Sequence, residues 1–132
     1  MGKCKTIKLI RALLNEKNLN IPIHIFGCLD PLSVITFFLS GADIFDGLSW
    51  LRFGFKNGLA IYLSNYALLN EDWTFQEKRE RIKAWIWNIS ELGRLQNRMR
   101  KFCTSFDINE FELEEHYAVQ IRKLLQSNDV IF

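Results

Sequence analysis

Cysteine, histidine and proline are scarce in this chain, and each scarcity excludes something. The three cysteines (Cys4, Cys28, Cys103) and two histidines (His24, His116) are too scattered to supply a tetrahedral metal set at ligand spacing. No run of apolar residues approaches the ~20 that a membrane-spanning helix needs, so no membrane partner is expected. Lys8 and Arg11 interrupt Ile7, Leu9, Ile10 and Leu13, which denies this segment the continuous apolar core of a signal peptide. With three unpaired-looking cysteines and no export signal, a reducing cytoplasm is the expected setting. Proline is absent from Thr74 to Lys101. That stretch can therefore run as one helix, with Trp85, Ile89, Leu92, Leu95 and Met99 at helical steps and Gly93 as a soft point.

Charge is nearly balanced overall at +2 but unevenly placed. Between Gln76 and Cys103 eight basic residues face three acidic ones, whereas from Thr104 onward two basic residues face six acidic ones. A basic helix of this kind either tracks a phosphate backbone or is a solvated surface paired with the acidic segment. Lys5 to Asn18 carries Ile7, Ile10, Leu13 and Leu14 at helical spacing, and a last helix is expected over Glu110 to Gln126.

The segment that says most is Ile21-Pro22-Ile23-His24-Ile25-Phe26-Gly27-Cys28-Leu29-Asp30-Pro31, followed by Gly41-Ala42-Asp43-Ile44-Phe45-Asp46-Gly47. Two short apolar runs stop at glycine-containing turns, with a helix between them. Asp30 can cap that helix, Pro31 needs no donor partner in its first turn, and Ser40-Gly41 ends it. Strand, helix and strand make a βαβ unit, in which chemistry sits just beyond the carboxyl ends of the strands. Phe26, Gly27 and Asp46 fall there.

Ile23-His24-Ile25-Phe26-Gly27 followed by Gly41-Ala42-Asp43-Ile44-Phe45-Asp46 resembles the tRNA-guanine transglycosylases, especially their archaeal-like branch and the relatives that modify DNA. The resemblance implies an α/β fold: a partial (β/α)8 barrel carrying the last two strands (residues 1–60), followed by a mainly α-helical C-terminal region (61–132). It also implies the C-terminal part of an enzyme that exchanges guanine for a 7-deazaguanine base in tRNA or DNA.

In that family the second aspartate of Gly-x-Asp-x-Phe-Asp is the nucleophile, here Asp46. A carboxylate suits the task, because it can attack the oxocarbenium-like C1′, hold the sugar as a glycosyl ester and be displaced by the incoming base with retention. Such an aspartate must be ionised, which calls for a polar, partly solvated site. Phe26 matches an apolar residue that packs on the base, Gly27 a close backbone approach, and Arg52 an arginine facing the nucleic acid. Read without the resemblance, Phe26 is barrel core, Gly27 a turn and Arg52 a solvated surface residue.

The chain departs from the family in two places. The usual Gly-x-Gly is Gly27-Cys28-Leu29, and the family's zinc-binding Cys-x-Cys-x-x-Cys is absent, with the segment from Gly58 to Asp72 standing where that module would begin. No metal or cofactor is therefore expected. A full barrel takes about 250 residues and this chain has 132, so a partner chain or a second copy is expected to supply the rest. A non-catalytic nucleic-acid-binding or partner subunit, and an inactive remnant, are the alternatives.

Overall fold

Asp30 and Pro31 start a helix, and the residues on either side of that helix form a parallel strand pair. In the computed structural model, which describes residues 2–126, helix α2 (Pro31–Leu39) begins with the Asp30 carboxylate accepting from the Ser33 amide at 3.2 Å. It ends at Ser40, and Gly41 follows at φ +110°, a conformation that favours glycine. Strands β1 (His24–Ile25) and β2 (Ile44–Phe45) pair in parallel, His24 opposite Ile44 and Ile25 opposite Phe45. Successive side chains alternate between faces. Phe45 packs on the core of Val34, Ile35, Leu95, Phe111 and Ile121, while His24 and Ile44 are exposed. Helix α1 (Gly2–Glu16) packs on α2 and buries Cys4 and Ile7. Its Lys8 donates to the carbonyls of Leu124 and Leu125 at 2.7 and 3.2 Å, in the last turn of the final helix.

The sequence reading finds two strands; the described residues form four. After the short helix α3 (Ser49–Arg52), β3 (Phe53–Lys56) and β4 (Leu59–Tyr62) form an antiparallel hairpin. Its turn is Asn57-Gly58, both residues at positive φ, as a tight two-residue hairpin requires. The hairpin straddles residue 60, where the barrel segment was expected to give way to helices. The chain is thus mixed α and β, about 64% helical, with two two-stranded sheets, and no barrel is evident among the described residues.

Helix α4 (Leu63–Leu69) lays the buried Tyr66 ring over Gly54. A Cβ at Gly54 would stand 2.3 Å from Tyr66 Cδ2 and 2.4 Å from Cγ, which no packed carbon tolerates. Gly54→Ala is therefore expected to cost about 1–3 kcal/mol by overpacking. Urea unfolding checks this, and the penalty should shrink in a Tyr66→Ala background; an equal penalty there would place the cause elsewhere.

Helix α5 (Glu77–Ser105) runs unbroken through Gly93 and stops at Phe106, whose φ of 55° is left-handed. It starts three residues later than the expected Thr74, because the Thr74 amide and hydroxyl instead donate to the Asp72 carboxylate. The inward face also differs from expectation. Glu80, Ala84, Asn88 and Leu95 are buried and Ile89 is exposed. The N-terminal half of α5 lies on the β3 hairpin strand, whose backbone groups need polar partners, so Asn88 and not Ile89 turns inward.

Glu80, only 1% exposed, is held by Arg79 and Lys83, and both cations also reach Asp72. Thr74, then Lys83, holds the Asp72 carboxyl well below the usual carboxylate range, and Glu80, then Asp72, raises Lys83. A depressed carboxyl stabilises the fold above its ordinary pKa near 4, and this contribution disappears as the pH falls toward its folded value. The Lys83 contribution has the opposite sense, present below its ordinary value and lost as the pH rises through the raised one. Acid unfolding of Asp72→Asn should lack this part of the low-pH limb. An unchanged limb would remove Asp72 from the account.

The last helix is shorter than expected. A 3-10 turn (Ile108–Phe111) and Glu112 at φ 49° precede α6 (Glu115–Gln126), which therefore starts at Glu115 and not Glu110. Phe111 is buried in the core at that point. Asp129, counted with the acidic segment, lies outside the described residues.

Candidate active site

Beyond the carboxyl ends of β1 and β2 the parallel ladder continues for one more step. The Asp46 amide donates to the Ile25 carbonyl at 3.3 Å, and the Asp46 carbonyl accepts from Cys28 at 2.7 Å. The Asp46 backbone is thereby fixed on both sides, which leaves its side chain directed by the groups around it. Oδ1 accepts from the Gly27 amide at 3.1 Å, and Oδ2 lies 3.2 Å from His24 Nε2. The carboxylate remains open to solvent, with 52% of its side chain accessible. Gly27 is at φ +71°, so the turn that aims its amide at Asp46 favours glycine. Gly47 is needed for a different reason: a Cβ there would press on the Gly27-Cys28 peptide at 3.0 Å.

Phe26 is 76% exposed and its ring lies against His24, centroids 4.0 Å apart and planes 36° apart. Arg52 shares a depression of about 380 Å³ with Gly27, Asp46, Gly47, Leu48, Ser49 and Phe53. Among the described residues it has no carboxylate partner, and its cation faces solvent. The segment carrying it is clamped from α5. Trp85 Nε1 donates to the Leu51 carbonyl at 3.0 Å, and Asn88 Nδ2 donates to Trp50 and Phe53 at 2.8 and 2.7 Å.

All four residues singled out in the sequence, Phe26, Gly27, Asp46 and Arg52, therefore lie around the ends of β1 and β2. The two aspartates of the 41–46 segment separate. Asp43 faces the other end of the strands, where its carboxylate pairs with Arg11 and accepts from the Ile23 amide at 2.7 Å. Only Asp46 reaches the open face. Cys28 is adjacent, but burial, then the nearby Asp30 charge, pushes its thiol up to about 11, so it stays protonated and weakly nucleophilic at neutral pH.

No family model, curated protein or solved structure matches this chain. The site holds a half-exposed carboxylate, one polar neighbour on each oxygen, an aromatic ring against the neighbouring imidazole and a cation at the rim.

Sequence reasoning missed two residues here. The sequence reading weighs His24 only as one of two histidines too scattered to hold a metal, although strand alternation puts it on the same face as Phe26 two positions on. Asn88 is invisible to apolar periodicity because it is a polar residue in the interior. Among the described residues no cluster of His, Cys, Asp or Glu is suited to hold a metal ion. The basic stretch of α5 is largely engaged in ion pairs: Arg79 and Lys83 with Asp72 and Glu80, Arg81 with Glu77, Arg94 with Glu91, and Arg98 with Glu112. Much of its charge is therefore compensated locally. No helix among the described residues is long and apolar enough to cross a membrane.

Proposed function

We propose that the chain is the C-terminal portion of a cytoplasmic base-exchanging transglycosylase that replaces guanine by a 7-deazaguanine in tRNA or DNA. Asp46 carries the reading: it is an accessible carboxylate at the carboxyl end of a parallel strand pair, next to an imidazole on which an exposed aromatic ring lies. Each carboxylate oxygen has one polar neighbour and keeps lone pairs free. One oxygen attacks C1′ of the nucleotide, and the C1′–N9 bond breaks with its electron pair leaving on guanine. The glycosyl ester is then opened by the ring nitrogen of the incoming base, which loses its N–H proton as it forms the new glycosidic bond and releases the carboxylate, while the departed guanine takes up a proton in exchange. Phe26 offers its face to the base, Gly27 holds the carboxylate and Arg52 meets a phosphate.

In this reading β1 and β2 are the last two strands of a (β/α)8 barrel. The exposed His24 and Ile44 belong to its inner face, which another chain or a second copy covers. The test is to incubate the full chain, alone and with the product of the neighbouring reading frame, with labelled guanine and tRNA or duplex DNA. Label should enter one nucleic acid and be lost with Asp46→Ala. Absence of label under every combination would remove the catalytic reading, and salt-sensitive binding that survives Asp46→Ala without exchange would mark a binding subunit.

A further inference from the structure

We infer that His24 is a positioning residue of the Asp46 site, an assignment that rests on the base-exchange reading above. One imidazole makes two contacts. Its Nε2 stands 3.2 Å from Asp46 Oδ2, and its ring lies 4.0 Å from the Phe26 ring. Asp46 Oδ1 is already held by the Gly27 amide, so His24 addresses the second oxygen and with it the plane of the carboxylate. Phe26 is largely exposed and would be free to turn about its side-chain bonds without the imidazole beside it. His24 thus couples the direction of the nucleophile to the position of the aromatic face on which a base would stack.

Distance separates this role from acid–base chemistry. In two-step retaining glycosyl transfer the proton donor and the nucleophile stand about 5–5.5 Å apart, because the reacting carbon and the departing atom lie between them. At 3.2 Å from the carboxylate, Nε2 leaves no room for a sugar carbon and its leaving group. His24 therefore acts through Asp46 and Phe26, and the proton that the bases exchange is handled elsewhere.

Two measurements on the full chain test this. In the first, the His24 ring resonances are followed by ¹H–¹⁵N NMR. Asp46→Asn should move the Nε2 resonance and Phe26→Leu should remove a ring-current shift from the imidazole protons, while Glu112→Gln, on another part of the chain, should do neither. Unmoved imidazole signals in both site variants would overturn the assignment whatever the protein catalyses. In the second, with the complete base-exchange system, His24→Ala should lower turnover by about 10²-fold through misplacement of the carboxylate. His24→Gln should recover most of that loss, since its carboxamide offers an N–H group at a similar distance from the backbone to face Oδ2. Full turnover in His24→Ala, or equal losses in the two variants, would also overturn it. Exchange absent from the wild type, with the NMR shifts present, would count against the proposed reaction and leave the His24 contact standing.

Discussion

Asp46→Asn is expected to lower base exchange by about 10⁴-fold or more, the scale on which covalent catalysis falls when its nucleophile is removed. Asparagine keeps the shape of the side chain, and its carbonyl oxygen can still accept from the Gly27 amide at the position of Oδ1. The site should therefore stay folded while losing the charged oxygen that attacks C1′. The informative control is Asp43→Asn, three residues away on the same segment. Asp43 pairs with Arg11 and receives the Ile23 amide at the opposite end of the strands. Its replacement should cost about 1 kcal/mol of stability and leave the chemistry of the open face in place. Activity and urea midpoint measured on both variants separate a reacting carboxylate from a structural one. Equal activity in Asp46→Asn and wild type would exclude Asp46 as nucleophile.

The βαβ unit was legible because its punctuation is local. Asp30, Pro31 and Gly41 each act on the backbone within a few residues, and their effects are the same in any fold. The clustering of Phe26, Gly27 and Asp46 followed, since strand ends of one parallel pair must lie together, and Arg52 joins them from α3. The hairpin was legible too, through Asn57-Gly58, yet it went unread because the segment from Gly58 to Asp72 was set against the place where the family's zinc module would begin. Asn57-Gly58 between Phe53-Gly54-Phe55-Lys56 and Leu59-Ala60-Ile61-Tyr62 is a strong short-range hairpin signal. What could not be read locally is the rotation of α5. In its C-terminal half Leu95 and Met99 pack on the core as apolar periodicity predicts, and Leu92 is half-buried. In its N-terminal half Ile89 faces outward, because the surface it would meet is the backbone of β3 and of the residues before it. His24 belongs with that second class. Its partner lies on another strand, and only the parallel register brings the two together.

That rotation makes Asn88 the residue whose loss should be felt most in stability. Its side chain is 0% exposed, and it accepts from the Phe55 amide at 2.8 Å while donating to the Trp50 and Phe53 carbonyls. Three backbone groups thus end on one carboxamide. Alanine would leave all three without that partner in a site too closely packed to admit much water, at about 1–3 kcal/mol for each group left unsatisfied. Some relaxation of the hairpin will recover part of this, so the expected loss for Asn88→Ala is about 3–5 kcal/mol, at the upper end for a single substitution. Asn88→Asp is the sharper comparison. It keeps the acceptor for Phe55, but an ionised carboxylate would face the Trp50 and Phe53 carbonyls with no proton to offer, so it should be no better tolerated at neutral pH. Because the same carboxamide fixes the carbonyls on both sides of Leu51-Arg52, partial unfolding should begin there. Amide exchange at Phe55 should accelerate in Asn88→Ala well before exchange at Ile25 does. Uniform acceleration across the chain, or a stability change below about 1 kcal/mol, would show that the hairpin finds other partners for these groups.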